Sequence, residues 1–435
     1  MNTSGGKLPL ESLIRGLKRI LPHALIAKIL PYYHWLWSFG SALFYRFPAR
    51  KIDVIFITGS KGKTTTAELV NALLEGAGLQ TALASTLRFK IGKHQIPNQF
   101  KMSVPGRGLL QQFLRSAVDS GCEIAIMEMT SQAVLDHRHR FLFPNALIFT
   151  NIEAEHIEAH GSYENYLEAK LQLAEQLKKS FKTEKTIIAN LDDKEGRKFI
   201  ARAFCGELKD SSFSIADDLT KVKVKGNLKF TYKDLDFTSP LQGRHNLKNI
   251  LAAIKVARFF GAPLTSIQET LKDFSVVRGR LERIQEATDQ GLEVYVDYAH
   301  TPESLRAVYN TFPEQNIIGV LGNTGGGRDT WKREVMASIA EEHCAKIILT
   351  DEDPYDEDPR SIVETMYQAI QNKDKVEIEM DRRTAISKAL KIAQKGEVVL
   401  ITGKGTDPYI MRANGEREAW DDATVVREEL AKIKI

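Results

Sequence analysis

The sequence predicts an α/β protein, in which a P-loop-type central domain with a mostly parallel sheet is followed by a C-terminal Rossmann-like α/β domain. Three observations support this prediction. Apolar runs of strand length alternate with helical segments, a glycine loop joins the first run to a helix, and the alternation restarts late in the chain. A chain of 435 residues also exceeds one ordinary core, so more than one domain is expected.

Composition narrows the classes of function. With 43% hydrophobic and 27% charged residues, the chain has the composition of a soluble globular protein. The net charge of +4 is small and its basic residues are interleaved with acidic ones, which gives no case for a nucleic-acid binder. Cys122, Cys205 and Cys344 lie far apart, without the spacing of a zinc site or a disulfide framework, and fit a reducing cytoplasm.

Residues 1–50 are predicted to form a short apolar and aromatic N-terminal segment. An uncharged run of 17 residues extends from Ile29 to Tyr45 between Lys28 and Arg46. A membrane span needs about 20 apolar residues, and no signal-peptide pattern is present. Two alternatives stay open: a helix in the membrane interface, with peripheral contact through residues 21–47 at the inner face of the membrane, or a helix packed on the protein or a partner.

Residues 51–278 are predicted to form the central domain. Its predicted strands are residues 51–59, 123–129, 145–152 and 185–191, and its predicted helices are residues 64–78, 162–180 and 243–261. This alternation indicates a parallel sheet with helices on both faces. Short alternating strands within residues 212–241 predict a small antiparallel addition.

Residues 279–435 are predicted to form the C-terminal domain, with strands at residues 292–299, 316–323, 345–351 and 397–405. Each predicted strand ends in a polar or glycine loop. Because ligands of open α/β sheets bind beyond the carboxyl ends of the strands, we expect the site in a cleft between the two sheets.

The segment "TGSKGKTTT" predicts a phosphate-binding loop. Gly59 and Gly62 enclose two residues rather than the usual four, yet a strand precedes the loop and a helix follows it. Backbone N–H groups and the helix dipole would hold phosphate oxygens, Lys63 would neutralise charge, and the Thr64 hydroxyl would ligate Mg²⁺. The loop therefore predicts binding of ATP and Mg²⁺.

Three other residues stand where a metal site would need them. Glu128 ends a predicted strand, where a carboxylate can hold the metal of the nucleotide, although such a residue is more often a solvated strand end. His156 lies just past another strand, and Lys170 lies one helix later. Because histidine binds Mg²⁺ poorly, His156 alone indicates a structural role.

Ten motifs occur in an order that resembles the Mur ligase family. They are "TGSKGKTTT", "MEMTSQAV", "TNIEAEHIEAHGSYENYLEAK", "GRHNLKNILAA", "RGRLERI", "VDYAHTPESL", "GNTGGGRD", "TDEDPYDEDPRSI", "GKGTD" and "WDDATVVREEL". The resemblance spans residues 51–435 and is greatest to the branch that adds the third amino acid in peptidoglycan synthesis. It implies a reaction in which a substrate carboxylate attacks the γ-phosphate of ATP, giving an acyl phosphate and ADP, and an amine then displaces phosphate.

The resemblance also implies roles for individual residues. ATP would be bound by Gly59, Ser60, Lys61, Gly62, Lys63, Thr64, Thr65, Asn246, Asn249, Arg280, Asp297 and His300. Mg²⁺ would be held by Thr64, Glu128, His156 and a carbamylated Lys170, and the catalytic residues would be Lys63, His156, Lys170 and Arg280. The acceptor and the amino acid would be bound by Ser103, Ser131, Arg138, Asp353, Tyr355, Lys404 and Asp407.

The predicted function is therefore an ADP-forming acid–amino-acid ligase of cell-wall peptidoglycan synthesis. Its partners would be a muramyl peptide or related acceptor and a free amino acid, in the cytoplasm. Ligases that extend poly-γ-glutamate, folylpolyglutamate or cyanophycin are an alternative within the enzymes. A non-ligating P-loop NTPase or a scaffold of a cell-wall complex is the alternative outside them, although a scaffold has no use for the whole set of predicted catalytic and metal residues.

Two departures from the family pattern concern the acceptor. About 50 residues precede the first strand, fewer than the family's UDP-binding domain needs. We therefore expect UDP to be held elsewhere, or the acceptor to be linked to a lipid or another carrier. In addition, "GKGTD" replaces the family's "GKGHE", and "TSQ" replaces "SSH", which retains Ser131 and removes a histidine.

A third departure concerns the amino acid. The family's diaminopimelate-adding enzymes have Asp-Asn-Pro-Arg where this chain has Glu352, Asp353, Pro354 and Tyr355. Tyrosine cannot clamp a carboxylate as arginine does, and Asp353 adds an acceptor for an ammonium group. These changes favour lysine, ornithine or another cationic side chain, unless Arg360 or Arg328 restores carboxylate binding.

Overall fold

The computed structural model describes residues 23–433, apart from residues 101, 105, 154–159, 207, 276 and 328. The predicted α/β class is confirmed by two mostly parallel sheets flanked by helices. The helices of the first part of the chain are α1 His23–Phe44, α2 Lys63–Gly76, α3 Arg107–Asp119, α4 Ser131–Leu135, α5 Tyr163–Lys178, α6 Gly196–Ala203, α7 Ile215–Asp218, α8 His245–Phe259 and α9 Leu264–Lys272.

The central sheet has eight strands among the described residues, in the order β4-β3-β2-β5-β1-β6-β7-β8. They are β1 Asp53–Thr58, β2 Thr81–Ala84, β3 Arg88–Ile91, β4 His94–Pro97, β5 Ile124–Glu128, β6 Ala146–Phe149, β7 Lys185–Ala189 and β8 Leu208–Asp210. Strands β3 and β4 are antiparallel additions at one edge, and the other pairs are parallel.

The apolar run of β1 explains its place inside this sheet. Ile55 and Ile57 pack into one core with α2 and α8, whereas Val54 and Phe56 pack into the core on the opposite face. A strand buried on both faces needs a nearly continuous apolar sequence. The loop after β1 is therefore fixed at the carboxyl edge of the sheet.

The predicted antiparallel addition is a three-stranded sheet of β9 Thr220–Lys223, β10 Leu228–Tyr232 and β11 Leu235–Ser239. Phe230 and Phe237 of this sheet stack at 5.4 Å between ring centroids and belong to the same core as α8. The small sheet therefore packs against the helix that carries Asn246 and Asn249, two of the residues predicted to bind ATP.

The C-terminal sheet has the order β12-β13-β17-β14-β15-β16 within the described residues, and β12 is its antiparallel strand. Its strands are β12 Glu282–Arg283, β13 Glu293–Asp297, β14 Ile317–Leu321, β15 Lys346–Leu349, β16 Val376–Ile378 and β17 Val398–Thr402, and a separate hairpin contains β18 Tyr409–Met411 and β19 Arg417–Ala419. The helices are α10 Gln285–Thr288, α11 Pro302–Tyr309, α12 Lys332–His343, α13 Pro359–Ala369, α14 Arg382–Ile392 and α15 Asp422–Leu430.

Helix α1 directs polar side chains toward the protein and apolar side chains toward solvent. Two of its polar side chains face the protein: Ser38 donates a hydrogen bond to the His137 carbonyl (2.9 Å), and His34 Nε2 lies 3.8 Å from Asp136 Oδ1. The outer face of α1 consists of exposed apolar and aromatic side chains, namely Ile29, Tyr32, Trp35, Leu36, Phe39, Leu43 and Phe44. No helix in the described part of the chain has the length and apolarity needed to cross a membrane.

Candidate active site

A cleft of about 680 Å³ lies between the carboxyl ends of the central and C-terminal strands. Its walls are the β1–α2 loop, the residues after β5, β6 and β7, the start of α8, and the segment from the end of β13 into α11. The predicted site residues that line it are Ser60, Lys61, Gly62, Lys63, Thr64, Thr65, Ser103, Glu128, Asn246, Asn249, Arg280, Asp297 and His300. The expected cleft between the two sheets is thus present.

The β1–α2 loop is held in shape by residues that follow β6. The Oδ1 atom of Asn151 accepts a hydrogen bond from Lys61 N (2.8 Å), and its Nδ2 donates to the Lys61 carbonyl (3.1 Å). Thr150 Oγ1 donates to the same carbonyl (2.7 Å). Gly62 has a φ of +80°, and a Cβ there would lie 2.3 Å from Asn249 Oδ1. The loop therefore requires glycine, and it leads into the N-terminus of α2, where phosphate is favoured.

Lys63 lies folded over this loop. Its Nζ donates hydrogen bonds to the carbonyls of Gly59 (2.8 Å) and Ser60 (2.9 Å). The Ser60 hydroxyl lies 3.0 Å from Tyr166 Oη and accepts a hydrogen bond from Glu153 N (3.0 Å). The ammonium group is therefore at the loop whose phosphates it is predicted to neutralise.

The Glu128 carboxylate stands at the end of β5, 1% exposed, beside the phosphate loop. Its Oε2 accepts a hydrogen bond from Thr64 Oγ1 (3.3 Å), so the two residues predicted to hold Mg²⁺ adjoin each other. Thr86 binds both carboxylate oxygens, through its N–H (2.8 Å) and its hydroxyl (3.0 Å). The ion pairs of the described residues do not include Glu128, and a buried carboxylate without a basic partner suits a metal ion.

Lys170 lies behind the phosphate loop rather than in the wall of the cleft. This side chain of α5 is 2% exposed, and its Nζ donates a hydrogen bond to the Gly59 carbonyl (2.8 Å). The ammonium group also lies 4.8 Å from the centroid of the Tyr166 ring. His156, the other predicted ligand of this metal, lies outside the described residues. Among those residues, no three His, Cys, Asp or Glu side chains form a metal-binding cluster.

The start of α8 places two asparagines at the phosphate loop. Asn249 donates to Asn246 Oδ1 (2.8 Å) and accepts from Thr66 Oγ1 (3.3 Å). Asn246 in turn donates to the Gln242 carbonyl (2.7 Å). Burial lowers the pKa of the neighbouring His245 to about 4, so its imidazole is neutral at pH 7. This part of the cleft wall is therefore polar, and Arg244 and Lys248 add positive charge to it.

The C-terminal wall is organised around Asp297. Its two carboxylate oxygens accept hydrogen bonds from Leu281 N and Ala299 N, both at 2.7 Å. Burial raises the pKa of Asp297, and the nearby Arg280 opposes that rise. The Arg280 guanidinium lies 4.3 Å from the centroid of the Tyr298 ring. Arg280 is thus stacked at the boundary between the two sheets.

His300 lies on the same wall, and its Nδ1 is 2.7 Å from the Tyr298 carbonyl. The predicted acceptor residues form a separate group around the residues after β5. Ser103 Oγ lies 2.6 Å from Thr86 Oγ1, and Ser131 Oγ lies 3.0 Å from His160 Nε2. Of these two serines, only Ser103 lines the cleft.

Arg138 also lies outside the wall of the cleft. Its guanidinium donates to Asp136 Oδ2 (2.6 Å) and to the Val104 carbonyl. It therefore adjoins the predicted acceptor residues through Val104, the neighbour of Ser103.

The four predicted amino-acid residues of the C-terminal domain also lie outside this cleft, where three of them form an ionic cluster. Lys404 Nζ lies 2.9 Å from Asp353 Oδ2 and 3.1 Å from Asp407 Oδ2. The other oxygen of Asp353 accepts a hydrogen bond from Met411 N (2.6 Å). Tyr355 has a φ of +54° and packs against Gly326. Both oxygens of Asp353 thus have partners in the chain, and its binding of an ammonium group stays a prediction.

Glu352 is a buried acid that the sequence analysis did not select as a site residue. Its Oε1 accepts a hydrogen bond from Thr324 (3.0 Å), and its buried Oε2 has no hydrogen-bond partner among the described residues. Burial raises the pKa of Glu352 to about 7, although Arg382 opposes the rise. A Cβ on Gly403 would lie 2.3 Å from Oε2 of Glu352.

A second cleft, of about 950 Å³, adjoins the first and shares Thr86, Arg280 and Tyr298 with it. Asp407 is the predicted amino-acid residue that lines it. On the central side, Arg88 pairs with Glu68 of α2. The two sides are bridged by a hydrogen bond from Tyr409 Oη to the Gln99 carbonyl (2.5 Å).

Three residues important to these clefts were missed from the sequence. Thr86 fixes the Glu128 carboxylate, Asn151 fixes the phosphate loop, and Tyr298 supports Arg280. Asn151 had a usable signal, because it lies two residues after β6, at the carboxyl edge of the sheet. Thr86 follows a strand that the sequence did not predict.

Two family models match the chain. "Mur ligase middle domain" matches residues 57–257, and "Mur ligase, glutamate ligase domain" matches residues 279–405. Among curated proteins, the chain is 32% identical over 410 residues to UDP-N-acetylmuramoyl-L-alanyl-D-glutamate--2,6-diaminopimelate ligase of Chlorobium phaeobacteroides. That alignment covers 89% of this chain and 78% of the relative.

Solved structures show the same likeness. A UDP-N-acetylmuramoyl-L-alanyl-D-glutamate--2,6-diaminopimelate ligase has a TM-score of 0.61 and 27% identity, covering 88% of this chain and 78% of that one. Mycobacterium tuberculosis folylpolyglutamate synthase complexed with ADP has a TM-score of 0.65 and 17% identity, covering 84% of this chain and 91% of that one. At that identity the second likeness concerns the fold alone.

Proposed function

The chain belongs to the Mur ligase family, whose members are ADP-forming amide ligases, and we propose that it adds a free amino acid to a muramyl-peptide acceptor in peptidoglycan synthesis. The observation that carries this proposal is the cleft in which the phosphate loop faces Arg280 and Asp297 of the other sheet. The relative that is 32% identical is named as a muramyl-peptide ligase, which favours this acceptor over the folylpolyglutamate alternative.

The described residues support a division of labour in the reaction. The loop N–H groups and Lys63 would bind the phosphates of ATP, and Arg280 would meet the γ-phosphate from the opposite wall. The acceptor carboxylate attacks the γ-phosphorus while the bond to ADP breaks, which leaves an acyl phosphate. The neutral amine then attacks the acyl carbon, phosphate departs with the bonding electron pair, and the amine proton passes to solvent. Closure of the cleft would exclude water from the acyl phosphate.

For Mg²⁺, we propose Thr64, Glu128, His156 and a carbamylated Lys170 as the ligand set. The hydroxyl of Thr64 and the carboxylate of Glu128 already adjoin each other, and both are the hard oxygen donors that Mg²⁺ prefers. Bound Mg²⁺ would offset the repulsion between the phosphates and the attacking carboxylate. Carbamylation would turn the Lys170 amine into an oxygen ligand, and its remaining N–H can keep the hydrogen bond to Gly59.

For the amino acid, we propose lysine, ornithine or another residue with a cationic side chain. The support is the tyrosine at position 355, which has no guanidinium with which to clamp a second carboxylate. Arg360, the alternative clamp, is exposed on α13, and Arg328 lies outside the described residues. The paired Asp353 adds no support of its own. The proposed amino-acid residues are Asp353, Tyr355, Lys404 and Asp407, and the proposed acceptor residues are Ser103, Ser131 and Arg138.

The test is ADP release by the full chain with ATP and Mg²⁺. The acceptor is UDP-N-acetylmuramoyl-L-Ala-D-Glu, offered with lysine, ornithine or diaminopimelate in separate reactions, and folate with glutamate serves as the alternative pair. We expect release only with a muramyl peptide, and most with a cationic amino acid. Release with folate and glutamate alone, or no release with any pair, would contradict the proposal.

We also propose that the domains divide at residues 50/51 and 278/279. Support comes from the two family matches, which end at residue 257 and restart at residue 279. The segment between them contains α9 and precedes β12, the first strand of the C-terminal sheet. Limited proteolysis should therefore cut first near residue 278, and a first cut inside either sheet would contradict this division.

Finally, we propose a peripheral contact with the membrane through residues 21–47, at its cytoplasmic face. The outer face of α1 is apolar and aromatic, with Tyr32 75% and Leu36 61% exposed. Between Glu11 and Asp53 the sequence has seven basic residues and no acidic residue. This charge complements anionic lipid headgroups, whereas a second copy of the segment would repel it, so a lipid surface fits better than a homodimer.

Co-sedimentation with vesicles tests this contact. We expect binding to phosphatidylcholine vesicles that contain phosphatidylglycerol, and weaker binding for Leu36→Glu. The matched control is Phe204→Glu, which changes another exposed apolar residue outside α1. Equal binding of both variants and the unmodified chain, or no binding at all, would contradict the contact.

A further inference from the structure

The turn that follows α4, residues 136–141, contains backbone conformations that are unfavourable for its residue types. His137 has a φ of +54° and Phe141 has a φ of +62°, and neither residue is glycine. Residues with a side chain persist in this left-handed region where the surrounding structure holds them, and they are frequent at functional sites. Contacts from outside the turn must therefore stabilise it.

Helix α1 contacts both of these residues. Ser38, which is 2% exposed, donates a hydrogen bond to the His137 carbonyl (2.9 Å). The Phe141 ring meets the rings of Trp35 and Phe39 edge-on, with centroids 5.9 Å and 5.6 Å apart. The conformation of turn 136–141 therefore depends on α1.

Asp136 connects α1 to Arg138. Its Oδ1 lies 3.8 Å from His34 Nε2 of α1 and accepts a hydrogen bond from Gln132 of α4 (3.2 Å). Its Oδ2 accepts a hydrogen bond from the Arg138 guanidinium (2.6 Å). The side chains of Asp136 and Arg138 are 18% and 14% exposed, so solvent screens this ion pair less than a surface pair. The Asp136 carboxylate therefore fixes the direction of the guanidinium group.

The Arg138 guanidinium reaches both neighbours of Ser103. Its Nη1 donates a hydrogen bond to the Val104 carbonyl, and the same nitrogen lies 3.9 Å from Met102 Sδ. The described residues that line the two clefts include Ser103 but no residue of turn 136–141. The turn can therefore act on the site only through a segment such as this one.

Ser103 stands at the acceptor end of the first cleft. Its Oγ lies 2.6 Å from Thr86 Oγ1, and the Thr86 N–H donates a hydrogen bond to the Glu128 carboxylate (2.8 Å). A displaced Ser103 would thus change the cleft wall beside the carboxylate proposed to hold Mg²⁺. Direct contacts join α1, through turn 136–141, to this part of the wall.

We propose that Asp136 is a positioning residue for the acceptor: together with α1, it directs Arg138 so that the guanidinium holds Ser103 at the cleft wall. The inference rests on the proposed function, in which Ser103 and Arg138 bind the acceptor. The phosphate loop and Arg280 lie outside this set of contacts. Loss of the Asp136 charge should therefore weaken acceptor binding and leave phosphoryl transfer nearly unchanged.

The test is steady-state ADP release by the full chain with ATP, Mg²⁺ and UDP-N-acetylmuramoyl-L-Ala-D-Glu. The amino acid is whichever of lysine, ornithine and diaminopimelate gives the most release. Asp136→Asn keeps the shape of the side chain and removes its charge. We expect its KM for the acceptor to rise about 10-fold, with kcat within about 2-fold of the unmodified chain and the KM for ATP unchanged. Because KM does not depend on the fraction of protein that is folded, partial unfolding would not imitate this result.

Three further variants complete the comparison. Asp136→Glu restores the charge and should recover part of the lost acceptor affinity. Asp218→Asn is the matched control, because Asp218 pairs with Lys255 at 2.6 Å with similar exposure (15% and 17%) and lines neither cleft. It should leave the KM for the acceptor unchanged. Ser38→Ala tests the part of α1 and should raise this KM about 3-fold or more, because the His137 carbonyl loses its hydrogen bond.

The outcomes separate this inference from the proposed function. An unchanged acceptor KM in Asp136→Asn, an equal rise in the KM for ATP, or no recovery in Asp136→Glu would overturn the positioning role while leaving the ligase activity established. The same rise in Asp218→Asn would also overturn it, since the effect would not be specific to this turn. An unchanged KM in Ser38→Ala would overturn the part assigned to α1. No ADP release by the unmodified chain would overturn the proposed function, and the inference with it.

Discussion

The Lys404 ammonium group lies 2.9 Å from Oδ2 of Asp353, so this carboxylate is already neutralised by a cation of the chain itself. Burial alone would lower the pKa of Lys404, but Asp407 and Asp353 raise it, so Lys404 is charged at pH 7. The choice of amino acid therefore depends on what stands beside this ion pair. Tyr355, two residues after Asp353, is the departure that removes a guanidinium group from this region.

Replacing Tyr355 with arginine should change the preferred amino acid. Arginine would supply the bidentate clamp for a second carboxylate, and it would meet the same backbone strain as Tyr355, whose φ is +54°. We expect kcat/KM for diaminopimelate relative to lysine to rise about 10-fold or more in Tyr355→Arg. ADP release with each amino acid gives the ratio. Tyr355→Phe is the control and should keep the original ratio; an unchanged ratio in Tyr355→Arg would remove this position from selection.

Gly62→Ala should abolish ADP formation. The alanine Cβ would lie 2.3 Å from Asn249 Oδ1, which forces the phosphate loop out of shape. Gly78→Ala is a matched control, because Gly78 also has a positive φ (+89°) but has open space around it. Each variant loses about 1 kcal/mol of stability through backbone strain, and only Gly62→Ala should lose more than about 100-fold in kcat. Equal activity in both would show that loop shape does not limit turnover.

Lys170→Ala should lose nearly all activity and regain part of it when short carboxylates are added, because they would replace the carbamate oxygens. Lys185→Ala is the control: Lys185 is likewise buried and donates to a backbone carbonyl (Ser180, 3.1 Å), but lies away from the phosphate loop. Activity of Lys185→Ala should not respond to carboxylates. A direct readout is a ¹³C NMR carbamate signal under ¹³CO₂ that is present in the unmodified chain and absent in Lys170→Ala. Wild-type rates in Lys170→Ala would contradict the carbamylation of Lys170.

Glu352→Gln should change how stability depends on pH. The folded pKa of Glu352, about 7, exceeds the ordinary value of 4.5, so the folded protein holds an extra proton between these values. Its contribution to stability therefore falls as pH rises from about 4.5 to about 7. Urea unfolding at each pH gives the free energy of unfolding of Glu352→Gln relative to that of the unmodified chain. This difference should shift in favour of the variant by up to ~3 kcal/mol between about pH 4.5 and about pH 8.

Glu357→Gln is the control for this pH dependence. Arg333 lowers the pKa of Glu357, so the contribution of Glu357 is present above its ordinary pKa and is lost as pH falls. The stability of Glu357→Gln relative to the unmodified chain should therefore fall as pH rises, opposite to the trend for Glu352→Gln. If both variants showed the same pH profile of stability, the raised pKa assigned to Glu352 would be wrong.

The apolar strands of both sheets were predictable because burial on two faces requires nearly continuous apolar sequence. The prediction missed β2, β3, β4 and β8, and also β12, β16, β18 and β19. Strand β4 is exposed at every residue and contains Pro97, so its sequence has no apolar run to recognise. Strand β12 has two residues, and its pairing with β13 is set by the fold rather than by local pattern.

Site residues on contiguous motifs were predictable for a similar reason. The loop from Gly59 to Thr65 is one segment, and its strand and helix identify it locally. Asp353 illustrates the limit: its partner Lys404 is 51 residues away in the sequence, so nothing near Asp353 shows that its carboxylate is occupied. Only the tertiary structure gives such pairings, and they decide which polar groups remain available to a ligand.

The hydrogen bonds between Asn151 and both backbone groups of Lys61 have a further consequence, for the entropy of binding. Since folding of the sheet already fixes the shape of the phosphate loop, a nucleotide that binds there does not have to order it. In Asn151→Ala the phosphate loop should be less ordered before the nucleotide binds, so binding would have to order it. Calorimetry should therefore give a less favourable −TΔS of nucleotide binding for this variant.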